Sequence, residues 1–228
     1  MSRFRHRIQW FEAREHRLST ALVLVVLFAG TLYALRLGTT LRYPDERDYY
    51  AIASNLKANG QYSIDGRTPT AFRAPGYPLV LALVGLVHPS VLTMRLVNVG
   101  ALAVAILLLG RILRRHDSGL AAFIATLLAA GYPVLLYTAG LLYPQILAGC
   151  LLLAVLERVT TASRDRHYLW AGVLMGYLVL TVPTNIAIAG VIGGWLWFAR
   201  SHVHRNAAWF ILATTLIITP WTIRNYVS

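Results

Sequence analysis

The stretch YPDERDYYAIASNL, residues 43–56, sets Asp45 beside Glu46 and Tyr49 beside Tyr50 in a chain that is otherwise oily and basic. Two readings of the carboxylate pair are open. In the first, Pro44 takes the first helical turn and both acids sit at the positive end of the helix dipole, an ordinary helix start. In the second they carry chemistry at a membrane boundary, where an acid is costly unless it is used or paired. On a helix Asp45 shares a face with Tyr49 and Glu46 with Tyr50, and Ala53 leaves room beneath Tyr49. Downstream, Arg67 and Arg73 precede APGYP, whose prolines fix the chain direction. An arginine presented there can hold a lipid phosphate through paired, charge-assisted hydrogen bonds, or simply tie a helix to lipid headgroups.

The elements that must position these groups are transmembrane helices. Hydrophobic residues make up 57% of the chain and charged residues 13%, too little polar surface for a soluble domain of 228 residues. The fold class expected is all-α, a polytopic bundle of about seven spans in one integral membrane domain, 1–228. The net charge of +12 does not gather with aromatics on a soluble face, so nucleic acid is not the expected partner. The basic residues recur between apolar runs, which places those loops in the cytoplasm. Cys150 is the single cysteine, so a disulfide framework within the chain is excluded and a packing role is expected.

Residues 1–18 read as a cytoplasmic interfacial helix rich in arginine, followed by a first span from about Thr20 to Leu41 with Arg36 near its far end. Residues 42–89 form the first extracytoplasmic loop, and its apolar but short PGYPLVLALVGLVHP segment is expected to lie at the interface. Spans two to six are placed near Val91–Leu113, Leu120–Tyr137, Gln145–Leu156, Tyr168–Pro183 and the run returning to ARSHVHR. The last occupies 207–228 and ends outside. The glycines at 190, 193 and 194 suggest a close-packing face. His202 and His204 lack the further ligands a metal site needs, and neither a metal nor another cofactor is expected.

The acidic pair after span one, YYAIASNL, a loop ending FRAPGYP and a late TPWTIRNY follow one another in an order that resembles the GT-C class of polyprenyl-phosphate-sugar glycosyltransferases. The likeness is nearest to bacterial relatives of protein O-mannosyltransferases and aminoarabinose transferases, and it runs along nearly the whole chain. It implies transfer of a sugar from a polyprenyl phosphate to a hydroxyl acceptor on a glycan, lipid or protein, at the outer face of a bacterial inner membrane. By the same likeness Asp45 would be the general base, with Glu46 assisting or orienting it. Arg73, Arg67 and Arg224 would hold the donor phosphate, and Tyr49, Tyr50, Tyr77, Gln145 and Asn225 would line the substrate pocket.

The chain departs from that class in two motifs. Pro144 and Gln145 stand where a hydroxyl residue and a glutamate are usual, and Val182 stands in LTVP where an arginine is usual. Relatives also continue beyond PWTIRNY, whereas this sequence stops at Ser228, which leaves open a compact form or a subunit acting with a partner or a second copy. The departures keep an alternative in view: a non-catalytic subunit that binds polyprenyl phosphate, scaffolds a complex or transports a lipid-linked sugar.

Overall fold

The computed structural model describes residues 15–116, 119–198 and 204–227, so the interfacial helix expected for 1–18 lies largely outside the described residues, as does His202. In chain order the helices are α1 (Glu15–Leu37), α2 (Pro44–Asn59), α3 (Gly76–Val87), α4 (Val91–His116), α5 (Gly119–Ala130), α6 (Pro133–Ala139), α7 (Gln145–Thr160), α8 (Asp165–Thr181), α9 (Ile186–Phe198) and α10 (His204–Val227). A short 3₁₀ turn, Pro183–Asn185, joins α8 to α9. No strand occurs among the described residues, where an isolated bridge pairs Ser63 with Pro69.

Three helices are long and apolar enough to cross a bilayer: Arg17–Leu37, Val91–Arg115 and His204–Val227. A fourth crossing is available if α5 and α6, bent by 57° at their junction, count as one broken span. Pro133 at the start of α6 explains the bend, because its ring drives Tyr132 out of helical geometry to ψ 109°. Leu24, Val25, Phe28, Leu212 and Leu216 are large, apolar and exposed, as lipid-facing side chains are. The protein is therefore read as a membrane protein. α7, α8 and α9 hold 16, 17 and 13 residues. At 1.5 Å per residue they reach roughly 24, 26 and 20 Å, short of a hydrocarbon core of about 30 Å.

α3 is apolar and, at 12 residues, too short to cross, as the sequence leads one to expect. It buries Tyr77, Leu81, Ala82 and Gly85, yet its opposite face shows Leu79, Leu83, Leu86 and Val87. An interfacial helix keeps one polar face for headgroups, and α3 has none, so its outer side suits hydrocarbon.

The small-residue contact falls elsewhere than expected. A Cβ at Gly190 or Gly194 would meet nothing within 4 Å; with Gly193 these glycines line an apolar groove of about 330 Å³ between α9 and α10. The close approach is between α8 and α10. There a Cβ on Gly172 would strike the Phe210 carbonyl and stand 2.8 Å from Ala213 Cβ, and one on Gly176 would lie 2.7 Å from Ile217 Cβ. Thr214 on α10 donates to the Gly172 carbonyl at 3.1 Å across the same contact. Gly172→Ala is accordingly expected to lower unfolding stability in detergent by about 1–3 kcal/mol through overpacking, while Gly190→Ala leaves it unchanged or slightly raised. Equal melting temperatures for the two variants would contradict this assignment of the packing face.

Two polar ends close the bundle. At one, Glu157 on α7 accepts from Arg111 at 2.9 Å and Arg115 at 3.5 Å on α4, and Asp165 pairs with Arg205 at 3.0 Å. The other end carries the acidic pair, the long loop and the last turn of α10.

Candidate functional site

Glu46 sets the geometry of this second end. Pro44 opens α2 and Tyr43 stands before it in extended conformation, leaving backbone N–H groups at the helix start in need of acceptors. Glu46 turns back and its Oε2 accepts from the N–H of Arg42 at 2.8 Å and of Tyr43 at 3.2 Å. Its Oε1 accepts from the N–H of Leu142 at 3.0 Å, which brings the turn between α6 and α7 onto α2. The side chain is fully buried.

Beneath it lies Arg95, also fully buried, 4.0 Å from the Glu46 carboxylate. Its guanidinium donates to the carbonyl of Gly38 and, at 2.6 Å, to that of Thr40. Gly38 follows α1 in a left-handed turn at φ 61°, and Arg95 thus satisfies carbonyls of the turn just beyond the helix. One turn along α4, Asn98 Nδ2 lies 2.7 Å from the Leu141 carbonyl, 3.0 Å from that of Tyr143 and 2.9 Å from the Tyr77 hydroxyl.

Asp45, next to the buried glutamate, points the other way and is 43% exposed. Its Oδ1 accepts from Arg73 Nη2 at 2.5 Å. Asp48, one turn on, accepts through Oδ2 from the same Nη2 at 2.7 Å and from Nε at 3.1 Å. Burial opposes the charge on Arg73, and the bonds to Asp48 and Asp45 more than restore it, leaving its pKa raised. The guanidinium also lies over the Phe72 ring at 4.6 Å and the Tyr49 ring at 5.3 Å.

The loop that delivers Arg73 is held by its own polar groups. Asp65 Oδ1 accepts from the N–H of Thr68 at 2.7 Å and of Arg67 at 2.9 Å, and from the Ser63 hydroxyl at 2.9 Å. Those bonds hold its carboxyl well below the usual range. Asn55 on α2 ties the loop down by donating to the carbonyls of Ser63 and Ile64. Tyr62 donates to the Arg73 carbonyl at 3.0 Å. From α10, Arg224 donates to the Thr70 carbonyl at 2.8 Å and stacks over Trp221, whose ring meets Tyr62 edge-on. Gly76 then presses against Thr181 at the end of α8, and Tyr177 donates to its carbonyl at 2.6 Å.

Of the residues singled out in the sequence, Asp45, Glu46, Tyr49 and Arg73 meet at one site, with Arg224 joined to it through Thr70. Tyr77 is fully buried, its ring edge-on to Tyr49 at 5.1 Å, and supports the site from below. Tyr50 is half-buried against the same cluster. Arg67 and Gln145 are exposed, and exposed Asn225 accepts from Arg224 at 3.0 Å.

Four members escaped the sequence reading. Asp48 was visible as a third acid one turn after Asp45. Arg95 and Asn98 were visible as polar residues inside an apolar span, a placement that asks for a partner. Tyr143, whose ring lies 6.0 Å from that of Tyr43, has its hydroxyl pKa raised by burial and then by the charges of Asp45 and Glu46. Tyr43 in turn shares a 2.5 Å hydroxyl contact with Tyr137.

The arrangement offers an accessible carboxylate, a guanidinium and an aromatic surround at one end of an apolar bundle. Such a set can take a proton from a hydroxyl and hold a phosphate. No group of three or more His, Cys, Asp or Glu residues among the described residues is placed to hold a metal ion. No family model, no curated protein and no solved structure matches this chain.

Proposed function

We propose that the protein is an integral membrane glycosyltransferase of GT-C-like architecture, passing a sugar from a polyprenyl phosphate to a hydroxyl acceptor on the extracytoplasmic side. The observation that carries this reading is the exposed Asp45 carboxylate held 2.5 Å from the Arg73 guanidinium just beyond a membrane-spanning helix. The succession of motifs along the chain supports it. This reading puts the end that carries Arg111, Arg115 and Arg205 in the cytoplasm of a bacterial inner membrane. In this topology α7, α8 and α9 are short spans, giving seven in all.

In the reaction Asp45 takes the proton of the acceptor hydroxyl as its oxygen bonds to the sugar's anomeric carbon. The bond from that carbon to the phosphate oxygen breaks, and the electron pair leaves with the lipid phosphate. Arg73 balances the charge that gathers on that leaving group, where a fixed cation stabilises the transition state more than the ground state. Arg224 braces the loop carrying Arg73, and Glu46 orients Asp45 by fixing the first turn of α2. No step is routed through a metal.

A second reading, a subunit that binds polyprenyl phosphate without turning it over, draws support from Gln145 and Val182, which supply neither the acid nor the base usual at those positions. Purified protein in proteoliposomes, given radiolabelled polyprenyl-phosphate sugar and a mixture of hydroxyl acceptors, separates the two. Transfer of label with release of polyprenyl phosphate is expected, and binding without release would remove the transferase in favour of the subunit.

A further inference from the structure

We infer that Asp48 is a positioning residue that grips Arg73 throughout, while Asp45 and an incoming phosphate compete for the outer edge of the same guanidinium. Asp45 is then freed to act as a base only once the phosphate has taken its place. The inference rests on the reading of Asp45 as base and Arg73 as phosphate ligand, and adds to it the order in which they act.

The two carboxylates are not equivalent. A guanidinium presents two edges to oxygen ligands: a side edge formed by Nε and one Nη, and an end edge formed by the two Nη groups. Asp48 Oδ2 takes the side edge, with Nε at 3.1 Å and Nη2 at 2.7 Å. Asp45 makes a single bond to Nη2, at 2.5 Å, and so occupies the end that bidentate phosphate recognition uses. Asp45 is also the more exposed, at 43% against 22% for Asp48, and has solvent to move into.

Charge gives the same order. Two carboxylates on one guanidinium leave this cluster with a net charge of about −1, which repels a phosphate as long as both stay in place. Releasing Asp45 removes one negative charge from Arg73 and opens the end edge in one movement. While bonded to Arg73, Asp45 Oδ1 is directed at the guanidinium and not at an acceptor hydroxyl. Phosphate binding therefore frees the base, and Asp45 does not engage an acceptor hydroxyl until the donor is in place. Phe72 and Tyr49, stacked on Arg73, and Tyr62, bonded to its backbone carbonyl, hold the arginine still while its partner changes.

The test is binding, independent of turnover. Full-length wild type and the variants Asp45→Asn, Asp48→Asn and Asp48→Glu, in nanodiscs, are titrated with polyprenyl monophosphate, with polyprenol lacking the phosphate as control. Asp45→Asn is expected to bind the monophosphate about tenfold more tightly, since its ionic competitor is gone. Asp48→Asn is expected to bind no more tightly than wild type although it removes the same charge, and Asp48→Glu to restore wild-type affinity. Equal gains in both asparagine variants would reduce the effect to net charge and overturn the inference, as would no gain in Asp45→Asn. A tenfold gain in a protein that transfers no sugar would sink the transferase reading and leave the exchange of partners standing. Normal sugar transfer with no gain would sink the exchange alone.

Discussion

Asp45→Asn is expected to lower sugar transfer by about 10²- to 10⁴-fold, the usual contribution of a positioned base. Asparagine keeps the size of the side chain and an oxygen able to accept from Arg73 Nη2, but it cannot take a proton from a hydroxyl. Because Asp45 is 43% exposed and makes a single ion pair, the substitution leaves the fold essentially intact. The measurement is initial transfer rate in membranes at matched protein level, with melting temperature recorded beside it. A variant that folds like wild type and transfers at the wild-type rate would remove Asp45 from the chemistry.

Glu46→Ala, one residue on, is expected to act on stability, with a loss of about 3–5 kcal/mol. The neighbouring acids are separated by environment: Glu46 is fully buried, while Asp45 opens outward. Removing the Glu46 carboxylate strands the N–H groups of Arg42, Tyr43 and Leu142 and leaves the buried Arg95 charge without its acidic neighbour. The losses at Leu142 and Arg95 are the costly ones, because those partners stay buried. The double variant Glu46→Ala with Arg95→Met is expected to recover part of the stability, as the coupling of the pair disappears with both charges. Thermal unfolding in detergent measures both effects. A single variant that melts with wild type would contradict the role given to Glu46.

The two acids that the sequence left undistinguished are placed in different environments, Glu46 buried and Asp45 turned outward. Glu46 holds the helix start and Asp45 faces outward, and nothing in the identity of two adjacent acids says which will point inward. That is decided by α6 and α7, whose turn presents the Leu142 N–H to one side of α2. The membrane-crossing helices α1, α4 and α10 were legible because continuous apolar runs carry their own length. The bend before Pro133 was legible in principle from the proline itself. Asp48 was not chosen because the motif drew attention to the adjacent pair, and that Arg73 reaches both Asp45 and Asp48 depends on a loop set by the Asp65 turn and the Asn55 tether. The glycines of α9 misled because a small residue marks either a close contact or a groove, and only the position of α10 distinguishes them.

The hold that Arg95 takes on the turn after α1 has a bearing on how the chain is made. The carbonyls of Gly38 and Thr40 wait for a side chain encoded 57 and 55 residues later. At roughly 5–20 residues per second, synthesis of that interval takes about 3–11 seconds. For that time α1 has emerged with its far end unfinished, and α2 has a Glu46 without its basic neighbour. The first span can therefore be inserted early, and the turn at its C-terminal end becomes fixed only when α4 arrives to hold it.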